Sequence, residues 1–111
     1  MINLQELQKR VGQWADANFG EDTPSYQPLL GVGEESGELM HAHLKGEQNI
    51  RHSAEEIAGM KKDAIGDICI FLMHYCHKEG IDFENAIHDT WTEVVEKRDW
   101  KADPSAGGLR G

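Results

Sequence analysis

The chain is predicted to fold as an all-α bundle of four main helices, and three observations carry that expectation. Only Pro24, Pro28 and Pro104 occur, and none falls between Leu29 and Asp103, so a long stretch is free of the residue that breaks helices. Apolar residues recur at steps of three and four through each candidate segment. Asn3 with Glu6, and Ser53 with Glu56, have the spacing of capping boxes at helix starts. No internal repeat, low-complexity block or useful run of β-alternation is present.

The first helix starts after Asn3 and carries Leu4, Leu7, Val11, Trp14 and Ala15 on one stripe, ending near Phe19-Gly20. Residues 21 to 27 then form a loop punctuated by Thr-Pro-Ser. The second helix is predicted from about Pro28 to about Lys45 with Gly46 as its C-cap. Its internal Gly31, Gly33 and Gly37 each lower helix propensity by about 1 kcal/mol relative to Ala. The third begins at Ser53, carries Ile57, Met60, Ala64, Ile68, Phe71, Leu72 and Tyr75 inward, and stops at Gly80. The fourth begins with Asp82 as N-cap, with Ile81 placed to staple onto Ala86. Phe83, Ala86, Ile87, Thr90, Trp91 and Val94 form its inner stripe. One helical domain over residues 1–102 is expected, followed by a flexible tail, 103–111, rich in glycine.

With 111 residues the chain fits a single domain, and 39% hydrophobic with 28% charged residues is a globular composition. Twenty acidic and 11 basic residues give a formal net charge of -9. That balance excludes the basic footprint needed for a nucleic acid polymer or an anionic membrane surface. No apolar run reaches the roughly 20 residues of a membrane span. The start of the chain, MINLQELQKR, lacks the apolar core of a secretory signal, and its two cysteines read as reduced thiols, so a cytoplasmic location is expected. The run from Ala64 to Met73 is apolar on all sides except at Asp67. Such a helix needs cover on every side, which three short neighbours hardly provide. A homodimer or a dimer of dimers is therefore expected.

The chemistry is concentrated in Glu34-Glu35-x-x-Glu38 on the second helix and Asp63-x-x-x-Asp67 on the third. At about 100° per residue, Glu34 and Glu35 each share a face with Glu38, and Asp63 shares one with Asp67. Like charges at this spacing repel, and Asp67 among isoleucines needs a partner if it is buried. A divalent cation satisfies both demands, and carboxylate oxygens suit Mg2+ or Mn2+. Gly37 and Gly66 beside these acids are expected to let two helix backbones approach. Read singly, each feature has a plainer account. EESGE also suits a solvated helix face, and an acid in an apolar helix also suits a core Asp bonded to an aromatic or His.

The segments GVGEESGELMHAHLKG and KKDAIGDICIFLMHYC resemble the all-α NTP pyrophosphohydrolases, in particular the small MazG-like branch. That family carries E-E-x-x-E on one helix and E-x-x-D on the next. The resemblance spans roughly Leu29 to Trp100 and includes Val95-Glu96-Lys97-Arg98-Asp99-Trp100. Glu34, Glu35 and Glu38 match the first motif in full. In the second, Asp67 matches, Ala64 stands where the family has Glu, and Asp63 one residue earlier is the stand-in. The resemblance implies hydrolysis of a nucleoside triphosphate, or its deoxy form, to the monophosphate and pyrophosphate, and a place in nucleotide-pool cleansing. Glu35, Glu38 and Asp67 are the expected metal ligands, with Asp63 a fourth. Glu34 or Glu35 is the expected base for the attacking water. Lys97 and Arg98 are candidates to hold the phosphates, against the simpler role of surface pairing with Glu93, Glu96 or Asp99. Trp14, Phe19 or Trp91 could stack on a base, although aromatics at helical spacing more often serve a core.

Other signals are weaker. Gly31-x-Gly33-x-x-x-Gly37 has the wrong spacing for a dinucleotide loop and follows no strand. Cys69 and Cys76 lack zinc spacing. Glu38-x-x-His41 supplies one of the two E-x-x-H motifs of a carboxylate-bridged di-iron bundle, and no second exists. Ala64 keeps open a non-catalytic helical interaction module that has lost activity.

Overall fold

A computed structural model of the protein describes residues 2–97. It contains α1 (Leu4–Phe19), α2 (Tyr26–Gln48), α3 (Ala54–Glu79) and α4 (Phe83–Asp89), and α4 runs on into a π-helical segment, Thr90–Glu96. Among the described residues there is no strand, so the all-α expectation holds. The expected tail, 103–111, lies outside the described residues, as does Arg98.

Three helix starts follow the predicted caps. Asn3 Oδ1 accepts from Glu6 N–H at 3.0 Å, and Asp82 Oδ1 accepts from Asn85 N–H at 2.9 Å. At Ser53 both halves of the capping box form, with Oγ accepting from Glu56 N–H and the Glu56 carboxylate accepting from Ser53 N–H. Gly80 ends α3 in the left-handed region at φ 69°, as predicted.

The second helix differs at both ends. It starts at Tyr26, because Pro28 sits in the first turn, where a missing N–H costs no hydrogen bond. It passes through Gly46 and ends at Asn49, which takes the left-handed cap at φ 52°. Gly46 serves packing instead, since a Cβ there would lie 2.9 Å from Ile57 Cγ2. The fourth helix also departs from expectation by widening at Thr90. Thr92 Oγ1 donates to His88 O at 2.9 Å, occupying a carbonyl the α-ladder uses, and Thr90 N–H is shared between Ala86 O and Ile87 O.

The hairpin of α2 and α3 is the main packing unit, and glycines set its register. A Cβ on Gly31 would lie 2.5 Å from the Phe71 ring, so α2 approaches α3 there as no larger residue would permit. Gly46 against Ile57 repeats the arrangement at the other end, which makes the pair antiparallel. The expectation for Gly37 and Gly66 is corrected: neither has any atom within 4 Å of an added Cβ. Both face away from the seam.

Helix α1 lies on α3 through Gly12, whose absent side chain leaves room for the His77 ring. His77 Nε2 meets Asp16 Oδ2 at 3.0 Å. Gln8 clasps the turn between α3 and α4, donating to Ile81 O at 2.7 Å and accepting from Phe83 N–H at 2.8 Å. His74 is buried, stacks on Phe19, and its Nε2 has no hydrogen-bond partner among the described residues. Burial first, then the Lys78 and His77 charges, holds its imidazole below the usual histidine value.

The buried core is small and rich in short side chains: Val11, Ala15, Ala42, Ile57, Ala64, Met73 and Cys76. Several predicted inner positions are open in the single chain. No residue of α4 is buried, and Ile87 and Trp91 of its expected inner stripe are about half exposed. Asp67, expected amid apolar cover, is exposed, and Ile65 beside it is 53% exposed. The physical reason is that α1 and α2 cover only part of the α3 circumference.

Gly31→Ala is expected to cost about 1–3 kcal/mol, because its methyl must displace the Phe71 ring. Gly59→Ala, on an open face of α3, is expected to gain up to about 1 kcal/mol. Urea unfolding of the two variants against the parent protein measures both; equal effects at the two positions would refute the seam.

Candidate functional site

The register of the hairpin brings the two acidic motifs to one level. Four residues along α2 from Gly31 is Glu35, and four residues back along α3 from Phe71 is Asp67. Glu35 is half-buried, whereas Glu34 and Glu38 on the same helix are exposed. The Glu35 carboxyl is held above its ordinary value, first by partial withdrawal from water, then by the Asp67 charge, and then by Glu34 and Glu38. The two motifs therefore act on each other across the seam.

Seven residues along α2 from Gly31 is Glu38, and seven back along α3 from Phe71 is Ala64. Ala64 is buried at 4% exposure, at the level of Glu38. Asp63, one residue earlier and about 100° around the helix, is exposed to solvent. The structure thus carries the Asp67 charge to Glu35, keeps Glu34 and Glu38 on the same helix beside it, and leaves Asp63 and Asp67 alike exposed.

The donor set fits a hard divalent cation in kind, because every group is a carboxylate and their charges already oppose one another at Glu35. Among the described residues no three acidic, His or Cys side chains converge at metal-holding geometry. Gathering them requires the long Glu34 and Glu38 side chains to turn from solvent toward the seam.

The other predicted site residues lie elsewhere. Lys97 Nζ pairs with Glu93 at 2.7 Å on an exposed surface, which is the surface-pairing role. Trp14 is 53% exposed, with Phe19 edge-on to it at 5.4 Å between ring centroids. Its indole lines an open groove with Leu7, Arg10, Val11 and Gln13 of α1 and Ile70 of α3. Sequence reasoning missed Arg10, although its spacing of four from Trp14 places the two on one helix face. Cys69 and Cys76 are free thiols, and His41 is exposed.

Comparison of the chain with protein-family models, curated proteins and solved structures found no match.

Removing the Asp67 charge should lower the Glu35 titration midpoint toward its ordinary value. In the parent protein the folded chain holds the Glu35 proton more tightly than the unfolded chain does. This group therefore opposes folding at neutral pH, and the opposition fades as pH falls through the raised value. Carboxyl-carbon NMR titration of Asp67→Asn without divalent metal reads the shift directly; an unmoved Glu35 midpoint means the two carboxylates do not interact.

Proposed function

We propose that the protein is a Mg2+-dependent nucleoside triphosphate pyrophosphohydrolase, releasing pyrophosphate and a nucleoside monophosphate. The observation that supports this most is the coupling of Glu35 to Asp67 across the α2–α3 seam, with Glu34 and Glu38 alongside. The motif resemblance supplies the reaction class. Glu35, Glu38 and Asp67 would hold the cation, with Asp63 as a fourth ligand. When bound, Mg2+ or Mn2+ supplies Lewis-acid polarisation of the phosphate and a lowered pKa for water. The chain itself carries a net charge of -9, so its carboxylates reach a polyanionic substrate only through such a cation. Glu34 or Glu35 takes the proton of the attacking water.

Oligomerisation belongs to the same reading. Leu30, Gly33, Gly37, Met40 and Leu44 follow one another at alternating steps of three and four along α2, and all are exposed. Leu30 and Met40 are each 67% exposed, and no atom lies within 4 Å of an added Cβ at Gly33 or Gly37. Such a stripe suits a helix of a second copy, giving a homodimer or homotetramer. Sedimentation velocity is expected to show the assembly, and Leu30→Glu with Met40→Glu to shift it toward monomer.

A second reading, a helical interaction module without catalysis, draws on one observation. Ala64 is buried at the level of Glu38, where the family has a carboxylate. One assay separates the two. Pyrophosphate release from a panel of ribo- and deoxynucleoside triphosphates is expected with Mg2+ or Mn2+ and absent with chelator. Glu38→Gln is expected to reduce it by more than about 100-fold while the far-UV spectrum stays helical. No release from any nucleotide would leave the interaction module.

A further inference from the structure

We propose that the groove between the outer face of α1 and Ile70 of α3 is the subsite for the nucleotide base, and that Arg10 selects guanine there; this rests on the hydrolase reading above. Leu7, Arg10 and Trp14 lie at positions i, i+3 and i+7 of α1 and so form one stripe. With Val11, Gln13 and Ile70 they line an open groove of about 640 Å3. That volume is in the range of small-molecule sites, about 300–1,000 Å3.

The chemistry of the lining points to a planar aromatic ligand with acceptors on its edge. Trp14 offers a half-exposed indole for stacking, braced edge-on by Phe19. Aliphatic Leu7, Val11 and Ile70 supply apolar contact. Arg10 is exposed and forms no ion pair with any described residue, in a chain where acids outnumber bases 20 to 11. One wall of the groove, Ile70, belongs to the helix that carries Asp67. Ile70 is three residues beyond Asp67 on α3, a rise of about 4.5 Å.

Arginine then discriminates among bases. A guanidinium has five N–H donors in a fixed fork and no acceptor. Guanine presents O6 and N7 side by side, both acceptors, whereas adenine pairs its N7 with a donating amino group. A base stacked on Trp14 has its edge beside Arg10, one helical turn away on the same face. Of the polar side chains in the lining, Arg10 therefore favours guanine over adenine, whereas the Gln13 amide, which both donates and accepts, can pair with either.

Two measurements test this. In the first, pyrophosphate release is compared among GTP, ATP, CTP and UTP for the parent protein, Arg10→Ala and Arg10→Lys. The parent protein is expected to use GTP about 10-fold or more better than ATP. Arg10→Ala should raise KM for GTP by about 10-fold at unchanged kcat and remove the preference. Arg10→Lys should not restore it, because an ammonium lacks the fork. In the second, guanosine and adenosine, which need no metal, are titrated against tryptophan fluorescence. Guanosine should quench more strongly than adenosine, and Trp14→Phe should lose the effect. If guanosine binds in this way while no triphosphate is hydrolysed, the hydrolase reading fails and the subsite stands. Equal binding of the two nucleosides, or an unchanged base ranking in Arg10→Ala, overturns the subsite. Dissociation of the assembly by Trp14→Ala would also overturn it, by making the groove a subunit contact.

Discussion

The close approach of α2 to α3 at Gly31 and Gly46 governs the rest of this structure. Each glycine admits a bulky side chain from the facing helix, Phe71 at one end and Ile57 at the other. Two such fits at opposite ends leave the hairpin one register. Sliding by a single residue would drive a Cβ or a ring into backbone. That register alone sets which acid of α2 faces which acid of α3, and it pairs Glu35 with Asp67. The influence of the Asp67 charge on Glu35 is thus a consequence of packing.

The same packing explains why the acidic level is open on one side. Helix α3 receives α2 along one flank and α1 along another, while α4 reaches only its C-terminal end. Ile65 and Gly66 fall on the remaining arc, and Asp67 at the edge of the seam is exposed beside it. A charged group at that place is tolerated by the single chain because water reaches it. In an assembly that covers this arc, the charge would need a cation or a proton instead.

Much of the fold is legible in the sequence because it rests on local chemistry. Asn3, Ser53 and Asp82 cap helices through bonds spanning three residues, and Gly80 ends α3 by its own backbone freedom. Less legible are features that depend on what lies across an interface. Gly46 has the signature of a cap and acts as a packing site; Gly37 and Gly66 have the signature of close approach and face open space. Which helix face points inward is a tertiary matter for glycine, which carries no hydrophobic signal of its own. For the site, the motif spacing identifies Glu34, Glu35, Glu38 and Asp67 as one acidic level. It does not reveal that Asp67 stays exposed in the single chain, whereas the pairing of Lys97 with Glu93 is one of the two roles its spacing allows. Arg10 was visible as a neighbour of Trp14 by helical spacing, but a lone arginine on an amphipathic helix carries no signal until a groove appears beside it.

The π-helical segment changes how angular position should be counted along the end of the chain. Each π turn holds more residues than an α turn, so azimuth per residue is smaller there and the phase of the wheel slips. The side chains of Trp91 to Val94 point in directions that a uniform 3.6-residue wheel drawn from Phe83 misplaces. A one-residue deletion within Thr90–Glu96 would convert the coil back to regular winding and rephase Lys97. The widened coil is therefore a gearing element: it sets the bearing of Lys97 apart from the regular winding of the helix before it.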